Sequence, residues 1–276
     1  MSQAPTIQLG NGVAMPAFGL GTWPMDDAQA EAVVAEALTI GYRLVDTAEN
    51  YANEEGVGRG LRASGVDRDE VFITTKFDRA WHGEKEVHEA CANSARRLGV
   101  EVIDLLLIHW PNPDLDRYVD AWRGMIQLLE DERVRAIGVS NFTPAHIDRL
   151  LADSGVAPHV NQIQLEPRLA RTEERAYHDA HGIVTESWAP LGKGGELLAA
   201  PPIPDIARAH DRTPAQVVLR WHVQIGAVPI PKTQQSQRLR ENLDVFDFSL
   251  SDDEMQAIGA LDGGLGHVTD PDRFGH

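Results

Sequence analysis

Residues 43–54 have the sequence RLVDTAENYANE. The run RLVDT is short and mostly apolar, which is typical of a strand buried on both faces of a parallel sheet. Polar residues follow it at once, with Asp46 at the end of the predicted strand and Tyr51 in the predicted loop beyond it. Taken alone, both residues have ordinary structural explanations, because Asp often caps a helix and a Tyr in a loop often packs on its neighbours.

Further apolar segments of the same kind recur along the whole chain. Each has few interruptions and ends in polar residues, as expected for parallel strands. The eight predicted strands are AFGLG (17–21), RLVDT (43–47), FITTK (72–76), LLLIH (105–109), AIGVS (136–140), NQIQL (161–165), VTESW (184–188) and AVPIP (227–231).

Segments with helical periodicity lie between these strands. Two predicted apolar faces consist of Ala30, Val33, Val34, Ala37 and Leu38, and of Ala215, Val218, Leu219 and His222. Thr143 and Thr213 are each followed by Pro, which predicts an N-cap and a first helical residue. Ser251 and Glu254 have the spacing of a capping box, which predicts an extra helix near the C-terminus.

This alternation predicts an α/β fold, a (β/α)8 TIM barrel that forms one domain over residues 1–276. A doubly wound open sheet is the main alternative. It normally has a glycine fingerprint after its first strand, whereas GLGTWP (19–24) leads to a proline.

Three segments are predicted to lie outside the barrel wall. TIQLGNGVAMP (6–16) predicts an N-terminal β-hairpin that closes the bottom of the barrel. GKGGELLAAPPIP (192–204) predicts a loop over the site, and DGGLGHVTDPDRFGH (262–276) predicts an irregular C-terminal loop that folds back over the mouth.

Composition and charge exclude several classes of protein. The 25 Lys and Arg residues against 42 Asp and Glu give a formal net charge of −17, which argues against nucleic-acid and anionic-membrane partners. Cys91 is the only cysteine, so no intrachain disulfide forms; we expect it to be a core residue on a helical stripe with Val87, Ala90, Ser94 and Leu98. The N-terminus lacks the features of a signal peptide, and the apolar runs are too short to span a bilayer. We expect a soluble, cytoplasmic protein.

Functional residues of a barrel belong at the carboxyl ends of its strands. Asp46, Lys76 and His109 end the second, third and fourth predicted strands, and Tyr51 follows the second. Because these strands are neighbours in the predicted barrel, we expect the four side chains to converge on one side of its mouth.

The set Asp46, Tyr51, Lys76 and His109 resembles the catalytic tetrad of the aldo-keto reductases. The resemblance extends from PAFGLGTW (16–23) to FDFSL (246–250), and the bacterial branch that includes the 2,5-diketo-D-gluconate reductases is the most similar. Other matching segments are VDTAENYANEEGVGRGL (45–61), FITTK (72–76), LLLIHWP (105–111), AIGVSNF (136–142), VNQIQLEP (160–167), ESWAPLG (186–192), PIPKT (229–233) and RLRENLDVF (238–246). The resemblance implies an NADP-dependent enzyme that reduces aldehyde, dicarbonyl or keto-sugar carbonyls to alcohols, and it implies a monomer.

Carbonyl reduction requires a hydride at carbon and a proton at oxygen. Tyr51 is the expected general acid, and the Lys76 cation is expected to lower the pKa of its phenol from near 10. Asp46 is expected to hold Lys76 in place. His109 is expected to donate a hydrogen bond that orients the carbonyl oxygen.

Two cations, Lys232 and Arg238, follow the last predicted strand, where barrels often bind phosphate. They suit the 2′-phosphate of NADPH better than the neutral diol of NADH. The resemblance implies further cofactor contacts at Ser140, Asn141, Gln162, Trp188, Leu191, Thr233, Glu241 and Asn242. It implies a substrate pocket lined by Trp23, Phe77 and Trp110, with Asp78 and Trp81 on a nearby loop.

Asp78 stands where the sugar-acid reductases of this branch tend to carry Trp, and its carboxylate would repel an anionic substrate. Other functions remain as alternatives. One is a cofactor-binding regulatory subunit, and another is a barrel glycosidase that uses Glu166 and Glu186 as its carboxyl pair. A metal site is not expected, because the His residues lack close ligand spacing.

Overall fold

The computed structural model describes residues 4–193, 196–264 and 268–274. The ten strands of this part of the chain are β1 Thr6–Gln8, β2 Ala14–Pro16, β3 Leu20–Gly21, β4 Leu44–Asp46, β5 Phe72–Phe77, β6 Ile103–Ile108, β7 Val134–Ser140, β8 Val160–Gln164, β9 Val184–Trp188 and β10 Val228–Pro229. Its helices are α1 Asp27–Ile40, α2 Glu54–Ser64, α3 Glu86–Leu98, α4 Tyr118–Glu130, α5 Pro144–Ser154, α6 Thr172–Ala180, α7 Glu196–Ala199, α8 Ile203–Ala209, α9 Pro214–Gln224, α10 Ser236–Leu243 and α11 Asp252–Gly259. Short 3₁₀ turns span Glu49–Tyr51, Arg68–Glu70 and Arg79–Trp81.

Strands β3 to β10 form one parallel sheet in chain order. Two backbone hydrogen bonds join its edges, from Gly19 N–H to the Pro229 carbonyl at 3.0 Å and from Gly21 N–H to the Pro231 carbonyl at 3.2 Å. All eight predicted strands are present, and the predicted (β/α)8 barrel is confirmed. The doubly wound alternative is wrong, because the strand order never reverses.

The helices surround this sheet with their apolar faces inward. The buried residues of α1 are the predicted set Ala30, Val33, Val34, Ala37 and Leu38. Thr143 and Thr213 cap α5 and α9, and Ser251 forms the predicted capping box with Glu254 at the start of α11. Cys91 is buried on α3 together with its predicted stripe of Val87, Ala90, Ser94 and Leu98.

Glycines allow α2 to pack closely on both neighbouring helices. A Cβ at Gly56 would lie 2.0 Å from the Asp27 carbonyl oxygen, and a Cβ at Gly58 would lie 2.2 Å from the Leu98 carbonyl oxygen. A side chain at either position would therefore push α2 away from α1 or α3. This packing fixes the helix that directly follows Tyr51.

The predicted N-terminal hairpin is formed by β1 and β2, which pair antiparallel. Leu9 and Met15 of this hairpin segment are buried in one apolar cluster with Leu44, Phe72 and Leu105. Leu44 and Phe72 are the first residues of β4 and β5, so the hairpin closes the end of the barrel opposite the strand tips.

Segment 192–204 differs from the predicted loop, because it contains α7 and the start of α8. Leu197 and Ile203 are buried in one apolar cluster with Val217 and Val218 of α9. Gly194 and Gly195 lie outside the described residues.

The C-terminal segment 268–274 folds back as expected. The ring centroids of Phe274 and Trp110 are 4.7 Å apart, and Asp272 Oδ1 lies 3.1 Å from His146 Nε2. Within the described ranges, no helix is long and apolar enough to cross a bilayer.

Candidate active site

The four predicted catalytic residues lie on neighbouring strands and the turn between them. Asp46 is the last residue of β4, Lys76 is the fifth residue of β5, and His109 directly follows β6. Tyr51 ends the 3₁₀ turn after β4. Because β4 pairs with β5 and β5 with β6, the strand order brings these positions to one side of the barrel mouth.

The ammonium of Lys76 is the centre of this group. Its side chain is fully buried, and Nζ lies 2.7 Å from Asp46 Oδ1, 2.9 Å from the Thr47 carbonyl oxygen and 3.5 Å from the Tyr51 hydroxyl. An ammonium has three hydrogens to donate, and these three oxygens account for all of them. A buried cation that is paired and hydrogen-bonded in this way keeps its charge.

The electrostatics of Tyr51 and Lys76 follow from burial and from their mutual contact. Burial on its own lowers the pKa of Lys76, but the negative charges of Asp46 and of an ionised Tyr51 outweigh it, so its pKa is raised. Burial raises the pKa of Tyr51 above 10, and the Lys76 charge opposes this shift without reversing it. The expectation of a lowered Tyr51 pKa was therefore wrong, because it considered the cation without the burial of the hydroxyl.

His109 is a neutral imidazole in this environment. Burial, followed by the nearby charge of Lys76, lowers the pKa of His109 to about 3. Its Nδ1 is buried and has no hydrogen-bond partner among the described residues. The ring centroids of His109 and Tyr51 are 5.8 Å apart, so the imidazole and the phenol line the same space.

The turn that carries Tyr51 is held from two sides. Thr47 Oγ1 donates a hydrogen bond of 2.7 Å to Asn53 Oδ1, which fixes the two ends of the segment to each other. On the other side, Trp81 Nε1 donates a hydrogen bond of 3.0 Å to Glu49 Oε1. Trp81 and Glu49 therefore connect the Tyr51 turn to the loop after β5.

The residues expected to hold the nicotinamide carboxamide lie next to His109. Asn141 has a φ of +63° and donates through Nδ2 to the His109 carbonyl oxygen at 3.1 Å. Trp188 Nε1 donates to Asn141 Oδ1 at 2.8 Å, and Ser140 Oγ donates to the Gln162 carbonyl oxygen at 2.9 Å. The structure therefore brings Ser140, Asn141, Gln162 and Trp188 together at the strand tips.

Gln162 also joins this group to the catalytic residues. Its side-chain Nε2 donates to Asp46 Oδ2 at 2.8 Å and to Glu186 Oε2 at 2.7 Å. Glu186 is fully buried, so it cannot contact a sugar. The second carboxyl group of the glycosidase alternative, Glu166, accepts the backbone N–H of Arg168 at 2.8 Å. A buried Glu186 argues against that alternative.

The predicted phosphate-binding residues lie between β10 and α10. Lys232 and Arg238 are exposed, and neither side chain forms a hydrogen bond or ion pair with another described residue. Thr233 is buried and its Oγ1 accepts the Gln235 N–H at 3.2 Å. The other predicted cofactor residues here are Glu241 and the buried Asn242, both on α10, and the partly buried Leu191 in the turn after β9.

Aromatic rings line one side of the mouth. Trp23 is 60% exposed and its ring centroid lies 5.1 Å from that of Tyr51, while Trp110 contacts His109 and Phe274. Phe274 was not predicted as a pocket residue. It could have been identified as an aromatic side chain in a tail that was predicted to fold back over the mouth.

Phe77 does not line the pocket, contrary to the prediction, and Asp78 lies on the nearby loop. Phe77 is fully buried in the apolar cluster between the sheet and the helices, because it follows Lys76 and successive strand residues point to opposite faces. The Asp78 carboxylate accepts the Arg79 N–H at 2.6 Å and caps the 3₁₀ turn there. Within the described residues, no cluster of three or more His, Cys, Asp or Glu side chains could hold a metal ion.

The chain matches known proteins over almost its whole length. The model of the Aldo/keto reductase family matches residues 8–262. The chain is 47% identical to 2,5-diketo-D-gluconic acid reductase B of Corynebacterium sp. (strain SHS752001) over 272 residues, which cover 99% of this chain and 98% of that relative. It is 43% identical to methylglyoxal reductase DkgA of Escherichia coli (strain K12) in an alignment of 277 positions, which covers 100% of each chain.

A solved structure shows the same fold with a nucleotide bound. The crystal structure of a Gox0644 mutant in complex with NADPH superposes with a TM-score of 0.93 at 45% sequence identity, and the match covers 99% of each chain. The chain belongs to the aldo/keto reductase family.

Proposed function

We propose that this protein reduces small aldehydes and dicarbonyl compounds to alcohols with NADPH, and that Tyr51 donates the proton. As a member of its family, the chain is an NADP-dependent oxidoreductase. One observation carries the assignment of the acid. The Tyr51 hydroxyl lies 3.5 Å from a buried, paired Lys76 ammonium, and its ring lies beside a neutral His109.

The side chains divide the proton chemistry among them. NADPH supplies the hydride that adds to the carbonyl carbon. As the carbon–oxygen π bond breaks, its electron pair moves to the oxygen, which takes the Tyr51 proton to give the alcohol. Lys76 stabilises the phenolate that remains, and Asp46 keeps Lys76 charged and in place. The neutral imidazole of His109 donates a hydrogen bond to the carbonyl oxygen, which orients it toward Tyr51.

The polar groups at the mouth fit NADPH. Asn141, Ser140 and Gln162 offer amide and hydroxyl groups to a carboxamide, and the Trp188 ring beside them offers a face for stacking. Lys232 and Arg238 are exposed cations that pair with no described carboxylate, although the chain as a whole carries a net charge of −17. Such a local pair of cations suits a phosphate group.

The mouth favours an uncharged substrate. The relatives include reductases named for 2,5-diketo-D-gluconic acid, which is an anion at neutral pH, and for methylglyoxal, which is uncharged. Trp23 is 60% exposed and its ring centroid lies 5.1 Å from that of Tyr51, so it presents apolar surface beside the proposed acid. Apolar surface at this position suits a small neutral dicarbonyl better than an acidic sugar, because a charged group loses hydration there.

The first experiment is a tryptophan-fluorescence titration with NADPH and with NADH, followed by NADPH-oxidation assays on a carbonyl panel that includes methylglyoxal and 2,5-diketogluconate. We expect saturable quenching that is tighter for NADPH, and turnover of methylglyoxal. Binding of NADPH without turnover of any carbonyl would favour the regulatory subunit instead. No binding of either nucleotide would overturn the proposed function.

A further inference from the structure

Glu186 is a buried carboxyl group that the proposed reaction does not use. It lies on β9, its side chain is fully buried, and Oε2 accepts the Gln162 amide at 2.7 Å. Its other oxygen, Oε1, is buried and has no hydrogen-bond partner among the described residues. A buried carboxylate with an unpartnered oxygen is costly, so burial favours the neutral carboxylic acid at this position.

The Gln162 amide has only one orientation that satisfies its two neighbours. Asp46 is ionised because it pairs with Lys76, and a carboxylate only accepts hydrogen bonds. Gln162 Nε2 must therefore face Asp46 Oδ2, and its second hydrogen goes to Glu186 Oε2. Both side-chain amide hydrogens of Gln162 are then engaged inside the barrel. Its side-chain oxygen, Oε1, is left to accept a hydrogen bond.

The charged and titratable groups around Glu186 are Asp46, Lys76 and Tyr51. Asp46 pairs directly with the buried ammonium, and Glu186 is joined to Asp46 through the Gln162 amide. Burial, followed by the charge of Asp46, raises the pKa of Glu186 to about 8. A neutral Glu186 leaves the Asp46–Lys76 pair without net charge, whereas an ionised Glu186 adds one negative charge to the group.

We propose that Glu186 is a positioning residue. As the neutral acid, it holds the Gln162 side chain so that Oε1 accepts a hydrogen bond from the carboxamide N–H of the nicotinamide. Ionisation of Glu186 slows reduction. This inference rests on the proposed function. The added negative charge raises the pKa of Tyr51 further, because a nearby anion opposes formation of the phenolate. Tyr51 then becomes a weaker acid for the carbonyl oxygen.

Two substitutions separate the charge from the hydrogen bond. Glu186→Gln keeps an oxygen that accepts from Gln162 and cannot ionise. Glu186→Leu has a similar size and removes the acceptor. Glu130→Gln, at an exposed position at the end of α4, is the control for removing one carboxylate elsewhere.

The readouts are the NADPH dissociation constant from tryptophan quenching and the single-turnover rate of NADPH oxidation with methylglyoxal, or with the panel carbonyl that turns over fastest, from about pH 6 to about pH 9.5. In the wild type and in Glu130→Gln, the rate should fall by up to about tenfold per pH unit above pH ~8. Glu186→Gln should match the wild-type rate at neutral pH within about threefold and lack this fall. Glu186→Leu should bind NADPH about tenfold more weakly at neutral pH.

The outcomes distinguish this inference from the proposed function. A wild type that binds no NADPH would overturn both. If the wild type is active but Glu186→Gln retains the wild-type alkaline fall, the role of Glu186 ionisation is wrong. Unchanged NADPH affinity in a folded Glu186→Leu variant, judged by circular dichroism, would show that Glu186 does not position Gln162.

Discussion

Lys76 Nζ lies 2.7 Å from Asp46 Oδ1, and both side chains are buried at the tips of neighbouring strands. An ammonium in this position has no water to solvate it, so its charge depends on the carboxylate. The proposed acid, Tyr51, depends in turn on that charge. The pair therefore contributes both to the stability of the barrel mouth and to the chemistry proposed for it.

Asp46→Asn should reduce both stability and activity. Without its counter-ion, Lys76 is left buried and unpaired, which costs about 3–5 kcal/mol of unfolding free energy. Burial then lowers the pKa of Lys76, and loss of its charge should slow reduction by about 10²–10⁴-fold. Chemical denaturation and NADPH-oxidation assays measure the two effects. Asp120→Asn breaks an exposed pair with Arg123 and should change stability by less than about 1 kcal/mol. Similar losses in both variants would contradict the importance of burial.

The rate of reduction should be independent of pH on the acid side. The pKa of His109 is about 3, so its imidazole stays neutral as the pH falls from about 7.5 to about 5. A His with an ordinary pKa near 6.5 would protonate in that range and change its hydrogen bonding to the carbonyl oxygen. The pH profile of kcat/KM checks this. A step near pH 6.5 that disappears in His109→Gln would show that His109 titrates in the ordinary range, which would contradict a neutral imidazole at this site.

Lys232→Ala and Arg238→Ala should weaken NADPH binding selectively. A charge-assisted hydrogen bond to phosphate contributes about 1.5–3 kcal/mol, which corresponds to about 10–100-fold in the dissociation constant. NADH lacks the 2′-phosphate, so its affinity should change little. Arg240→Ala removes an exposed cation from the same helix and should affect the two nucleotides equally. Equal losses for NADPH and NADH in Lys232→Ala would contradict the phosphate assignment.

Ala52→Gly should stabilise the protein slightly. Ala52 has a φ of +54°, in the left-handed region that costs an L-residue about 1–2 kcal/mol. Glycine removes this strain and loses about 0.5–1 kcal/mol through the greater freedom of the unfolded chain, so the expected net gain is about 0.5–1 kcal/mol. Ala63→Gly, on the exposed surface of α2, should instead destabilise by up to about 1 kcal/mol. Destabilisation by both substitutions would show that Ala52 is not strained.

The barrel could be predicted because its strands are continuous apolar runs, such as LLLIH (105–109), separated by helical segments. The convergence of Asp46, Lys76 and His109 followed from their positions at strand ends. A strand that is apolar on both faces does not show which residues point inward, and this is why Phe77 was misplaced. The predicted monomeric state and cytoplasmic location remain predictions.

Other properties of the site depend on burial, which sequence spacing does not reveal. The raised pKa values of Tyr51 and Glu186 both arise first from burial, among residues that are distant in sequence. Helix α7 and the start of α8 were missed because the surrounding segment 192–204 is rich in Gly and Pro, which is typical of a loop. The apolar contacts of Leu197 and Ile203 with α9 override that local preference.

The most direct test of the proposed chemistry is the single-turnover rate of NADPH oxidation by Tyr51→Phe, measured together with its NADPH dissociation constant. Tyr177→Phe on α6, which also loses one hydrogen-bonded hydroxyl, is the matched control. We predict that Tyr51→Phe reduces the rate by at least about 10²-fold and leaves NADPH affinity within about threefold of the wild type, while Tyr177→Phe keeps wild-type values. Retained turnover in Tyr51→Phe would contradict the assignment of Tyr51 as the proton donor.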